Sequence, residues 1–156
     1  MSALPATSAP PGLTALPGLT WIAESPWAYP ALEVVHLLGV ALLLGNLLAF
    51  ESRVLGWARE LPLPALARLS LSLALAGFGL AALSGLTLFA AQPGEMLANP
   101  AFVWKMGLVM AAGVNAAIFH ARDGLGRLDA VARAQTLASL GLWMGAMICG
   151  RWIAYV

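Results

Sequence analysis

Residues 69–91 read LSLSLALAGFGLAALSGLTLFAA, and no charged residue occurs between Arg68 and Glu95. At a rise of about 1.5 Å per residue, a helix of this length crosses a hydrocarbon core of about 30 Å. Gln92-Pro93-Gly94 then stops it. One such span makes lipid the solvent that matters, and the composition of the rest agrees. Of the 156 residues, 61% are hydrophobic and only 10% charged, with a mean hydropathy of +0.85. A soluble domain would carry about a quarter charged residues.

Working outward, three further apolar segments complete an all-α transmembrane four-helix bundle in residues 28–156, with spans at about 29–50, 69–91, 101–121 and 134–155. Pro30 suits the first turn of the first span, which gives way to the charged segment Glu51-Ser52-Arg53. Asn99-Pro100 opens the third span, and Arg122-Asp123-Gly124 turns the chain after it. Glycines at 77, 79, 85, 107, 113, 141 and 145 permit close helix packing. Residues 1–27 read as a flexible Pro-rich tail without the basic and apolar regions of a signal peptide, and Leu13 to Trp27 suits a segment lying at the membrane interface.

The loops set the orientation. Arg53, Arg59 and Arg68 flank the first connection and Arg122, Arg127 and Arg133 the third, while the tail and the loop around Glu95 hold no Lys or Arg. This places both basic loops in the cytoplasm and both termini outside. A net charge of +1 with no basic stripe gives no footprint for nucleic acid. The single Cys149 excludes an internal disulfide and every CxxC metal motif. No GxxxxGK[ST] loop or nucleophile–base pair supports ATP-driven or hydrolytic chemistry.

Ionisable residues inside lipid cost roughly 2.5–3.5 kcal/mol each at a helix centre, so each needs a partner or a role. Glu33, His36, Lys105 and Arg151 all fall in the outer half of their spans, where they can meet. Arg151 shares a helix stripe with Met144 and Met147. With Trp104 these residues define an outer-leaflet polar cavity. Imidazole ligates haem iron or copper, thioethers are soft ligands, and the two cations suit propionates. A b-type haem on His36 is the leading expectation, with Glu33 orienting or compensating and Met144 or Met147 as the opposite ligand. Copper on His36, Met144 and Met147 is the second. A quinone bound through His36 and Lys105, and a purely structural or partner-binding subunit in which Glu33 pairs with Lys105 or Arg151, stay open beside them. Bis-imidazole ligation requires a second subunit, hence a homodimer. His120 lies at the other surface, about 20 Å deeper than His36. Asn46 and Asn115 read as interhelical hydrogen-bond partners, and Cys149 as pointing away from the cavity.

Several runs carry a resemblance: Pro30-Ala31-Leu32-Glu33-Val34-Val35-His36-Leu37-Leu38-Gly39, Gly85-Leu86-Thr87-Leu88-Phe89, Asn99 through Lys105, Asn115, and Gly150 through Tyr155. Together they resemble a family of uncharacterised four-helix integral membrane proteins of bacteria (a domain of unknown function), over nearly everything after residue 20. This implies a multi-pass protein of the bacterial inner membrane. His36 early in the first span and Lys105 early in the third look more distantly like the copper-resistance D membrane domain and the HemJ-type protoporphyrinogen oxidases. That similarity implies copper handling or haem and porphyrin redox chemistry, with a membrane oxidoreductase or an electron-transfer component as the role.

Overall fold

The structure, a computed structural model, describes residue 16 and residues 18–155. The expected flexible tail therefore lies, for residues 1–15 and 17, outside the described part. Seven helices are present among the described residues: α1 (Thr20–Glu24), α2 (Ala28–Val54), α3 (Leu63–Ala91), α4 (Pro93–Ala98), α5 (Pro100–Ala121), α6 (Gly124–Arg127) and α7 (Ala130–Trp152). There is no strand among them. Helices α2, α3 and α5 are each long and apolar enough to cross a membrane. Helix α7 is as long as α5 but carries Arg133, Gln135, Thr136, Ser139 and Arg151 among its apolar residues.

The four long helices form two antiparallel hairpins built differently. In the first, α3 turns a seam of small residues toward α2: Ala67, Ser70, Ala74, Gly77, Ala81 and Ser84 are all buried. Their spacing alternates three and four, which keeps one stripe on one face. Small side chains bring the backbones together, as membrane helices require when no hydrophobic force drives them to pair. A Cβ on Gly39 would stand 2.6 Å from the Ala81 nitrogen, and one on Gly77 would stand 2.5 Å from the Leu43 nitrogen. Of the glycines expected to serve packing, Gly79, Gly107, Gly113 and Gly141 have nothing within 4 Å of a built Cβ.

The second hairpin is fastened by polar side chains near its ends. Asn99 accepts from the backbone of Ala101 and Phe102, capping α5, and donates its amide to the Ile153 carbonyl beyond α7 at 3.0 Å. At the other end Asn115 donates to the Gln135 carbonyl at 2.9 Å. Asn46, by contrast, bonds the Leu42 carbonyl of its own helix.

Backbones of the two hairpins approach along α2 and α7. Elsewhere aromatic pairs span the gap: Phe50 with Phe119, Phe78 with Trp143, and Phe89 stacked on Phe102. The densest core lies at the arginine-rich end, where Phe50, Val54, Ala67, Phe119 and Ala132 come together from all four long helices. Loop chemistry closes that end. Arg53 donates to the carbonyls of Leu61 and Arg59, and Arg122 pairs with Asp129 at 3.2 Å while Asp129 caps α7 through the Ala132 amide. At the opposite end α1 buries Ile22 against α2 and α3, leaving Trp21 and Trp27 exposed. Exposed indoles at a helix end suit a lipid headgroup layer.

Candidate functional site

His36 is turned toward α3. Its Nδ1 lies 2.8 Å from the Ala81 carbonyl oxygen, and since a carbonyl only accepts, Nδ1 carries the proton. The Ser84 hydroxyl, which donates to Leu80, stands 3.3 Å from the same nitrogen. Gly85 makes room for the ring: a Cβ there would come within 3.0 Å of Cε1. In the neutral ring this leaves the lone pair on Nε2, the arrangement by which a backbone carbonyl orients a metal-binding histidine.

Lys105 is half-buried on the face of α5 that meets α7. Its Nζ would lie 3.5 Å from a Cβ built on Gly150, and its charge acts on both the His36 ring and Cys149. Asp129 is the only acidic partner in a salt bridge among the described residues, so Lys105 has no carboxylate within 4 Å there. His36 and Lys105 are thus within electrostatic reach of each other.

The other residues of the expected cavity are placed elsewhere. Glu33 is exposed, with Tyr29 one turn away in electrostatic reach. Trp104 is 72% exposed, outside the packed face of α5. Arg151 is exposed at the end of α7, where its guanidinium bonds the Tyr155 hydroxyl and stacks over that ring at 4.8 Å. A long cation near a helix end reaches outward in this way to keep its head solvated. Its neighbours Cys149 and Gly150, rather than Arg151, are the α7 residues near Lys105. His120 is exposed at the end of α5, edge-on to Phe119.

Met144 and Met147 line a cleft between α2 and α7 together with Trp143 and Glu51. The lining residue of α2 nearest to His36 is Leu44, eight residues and about 12 Å along the helix. The cleft holds about 60 Å³, far from the roughly 300 Å³ of a small cofactor pocket. No group of three or more His, Cys, Asp or Glu able to hold a metal occurs among the described residues.

Glu51 is the residue that sequence reading passed over. It was expected to begin a charged loop, yet α2 continues to Val54 and Glu51 is 3% exposed inside the bundle. The signal was its spacing. Leu44, Leu47, Leu48 and Glu51 follow the i, i+3, i+4, i+7 pattern of one helix stripe, whereas Arg53 falls off it.

The class defined by these features is an all-helical chain with three helices long and apolar enough to cross a membrane, consistent with a multi-pass integral membrane protein. Comparison with protein-family models, with curated proteins and with solved structures finds no match.

Proposed function

We propose that this chain is a four-span protein of the bacterial inner membrane, with both termini outside, that binds a b-type haem through His36 for electron transfer. The observation that carries the reading is the Nδ1–H bond from His36 to Ala81, which orients the imidazole and leaves Nε2 as a ligand. Lys105, without a carboxylate partner among the described residues, is available to a propionate. The fit is incomplete within one chain. Met144 and Met147 sit in the cleft with Glu51 and not beside His36, so His36 of a second copy would have to supply the other ligand. A haem held in such a dimer would supply a one-electron centre. Helix α7 is the fourth span: Arg151 snorkels at one end, and the polar side chains of its basic-loop half bond within the protein, as Gln135 does to Arg122 and Thr136 to Ala132.

Copper held by His36 with both methionines draws no support from this geometry. A structural or partner-binding subunit is the second reading, because the Ala81 bond and the Gly85 contact also satisfy His36 as a helix-packing residue. Two substitutions separate the readings. His36→Ala removes both the bond and the ligand. His36→Asn keeps a side-chain N–H for Ala81 but offers no imidazole. Protein purified without added cofactor is expected to show a Soret band that both variants lose, with His36→Asn remaining as stable as the parent. A colourless parent that also refuses haemin would remove the haem reading.

A further inference from the structure

Glu51 is a second site, independent of His36. Its side chain is buried, lines the cleft between α2 and α7, and leaves Oε2 without a hydrogen-bond partner among the described residues. Ser139 of α7 is within hydrogen-bonding reach of the carboxyl. The remaining walls are apolar apart from the indole of Trp143. No cation stands within ion-pair distance among the described residues, and Arg53, two residues on, is turned to the loop carbonyls of Leu61 and Arg59. From α3 and α5 the nearby core residues are Ala67, Leu71 and Phe119, with His120 and Arg68 exposed beyond them.

An unpaired carboxylate in such surroundings is far costlier than the neutral acid. The acid, in turn, has an O–H to donate and an oxygen to offer. Glu51 also lies less than a turn before the last residue of α2, close to the connection over residues 55–62. Along the helix the carboxyl therefore stands about one turn from the start of that loop.

We propose that Glu51 is a proton-binding site, a buried carboxyl that takes up and releases a proton at the loop end of the α2–α7 cleft. In release the O–H bond breaks and the proton passes to a water, leaving the electron pair on the carboxylate; uptake reverses this, and nothing is oxidised or reduced.

Infrared difference spectroscopy on the full chain in phospholipid vesicles tests the assignment. A protonated-carboxyl C=O band is expected at neutral pH that shifts within the mixing time in deuterated water, disappears as pH is raised far above the ordinary carboxyl range, and is missing from Glu51→Gln. Ser139→Ala keeps the carboxyl and should move the band by removing a hydrogen-bond partner, so the assignment does not depend on one variant folding. Dicyclohexylcarbodiimide, which adds only to a protonated acid, should label Glu51 ahead of the exposed Glu24, Glu60 and Glu95. A band unchanged in Glu51→Gln, a band that neither exchanges nor titrates, or labelling no greater than at Glu24 would each overturn the proposal.

Discussion

Replacing Gly77 with alanine tests the packing of the first hairpin directly. The added Cβ would stand 2.5 Å from the Leu43 nitrogen and 2.7 Å from the Gly39 oxygen, where ordinary contact begins at 3.4 Å. The obstructing atoms are backbone, so no side chain can swing aside, and α2 and α3 must part by about 0.9 Å. A gap of that size forfeits a quarter to a half of the dispersion well for each contact along the seam. Overpacking of this kind costs about 1–3 kcal/mol, and rigid backbone neighbours put Gly77 in the upper part of that range. Gly79→Ala, two residues along, is the control: nothing lies within 4 Å of its Cβ. Both variants gain the same helix propensity, about 0.8–1 kcal/mol, which cancels in the difference. Gly77→Ala should therefore be less stable than Gly79→Ala by about 2–3 kcal/mol, measured by reversible detergent-driven unfolding in mixed micelles and followed by circular dichroism. A difference below about 0.5 kcal/mol would show that the helices yield freely at this point and that the seam does not hold the hairpin.

Two further outcomes are expected. The Asp129 carboxyl is held below its ordinary value of 3.8, first by the hydrogen bond it accepts from the Ala132 amide, opposed by desolvation, and then by Arg122 and Arg127. Because the folded value is the lower one, its contribution is complete above the ordinary value and is lost as pH falls through the folded value, so unfolding midpoints measured across the acid range should fall less steeply in Asp129→Asn than in the parent. In a Cys149→Ser background, an impermeant thiol reagent added to intact cells should label Ser25→Cys and not Gly126→Cys; labelling of Gly126→Cys alone would reverse the proposed orientation.

The fold was legible wherever one physical signal stood alone. Residues 69–91 had no competing charge, and α3 contains them, although the helix starts at Leu63 because Pro62 and Pro64 lie where a helix tolerates proline. Asn99 was readable as a helix start because an amide before proline caps it, and the structure adds its bond to Ile153. Side-chain direction was less legible. Glu33 and His36 are one turn apart and read as one face, but the edge of the α2–α3 seam runs between them, so one is exposed and the other bonds Ala81. Helical spacing likewise gives the angle between Cys149 and Arg151 without saying which of them meets α5. That choice depends on Lys105 approaching Gly150, a contact between helices about 45 residues apart in sequence.

Both proposed sites lie on α2, the helix that packs on its own hairpin through α3 and on the other hairpin through α7. His36 uses the first of these faces and Glu51 the second, fifteen residues or about 22 Å apart along the axis. Groups that far apart without shared partners act independently in stability. An imidazole that proves to be a packing residue leaves the Glu51 carboxyl as buried and as unpaired as before. An inert Glu51 leaves the Nε2 of His36 just as available to iron. If both sites function, one helix carries an electron centre toward one surface and a proton site toward the other. The stiff seam of α2 against α3 then has a second consequence: it fixes that separation, so a change of charge at one end reaches the other through the field across the bundle and not through movement of the helix.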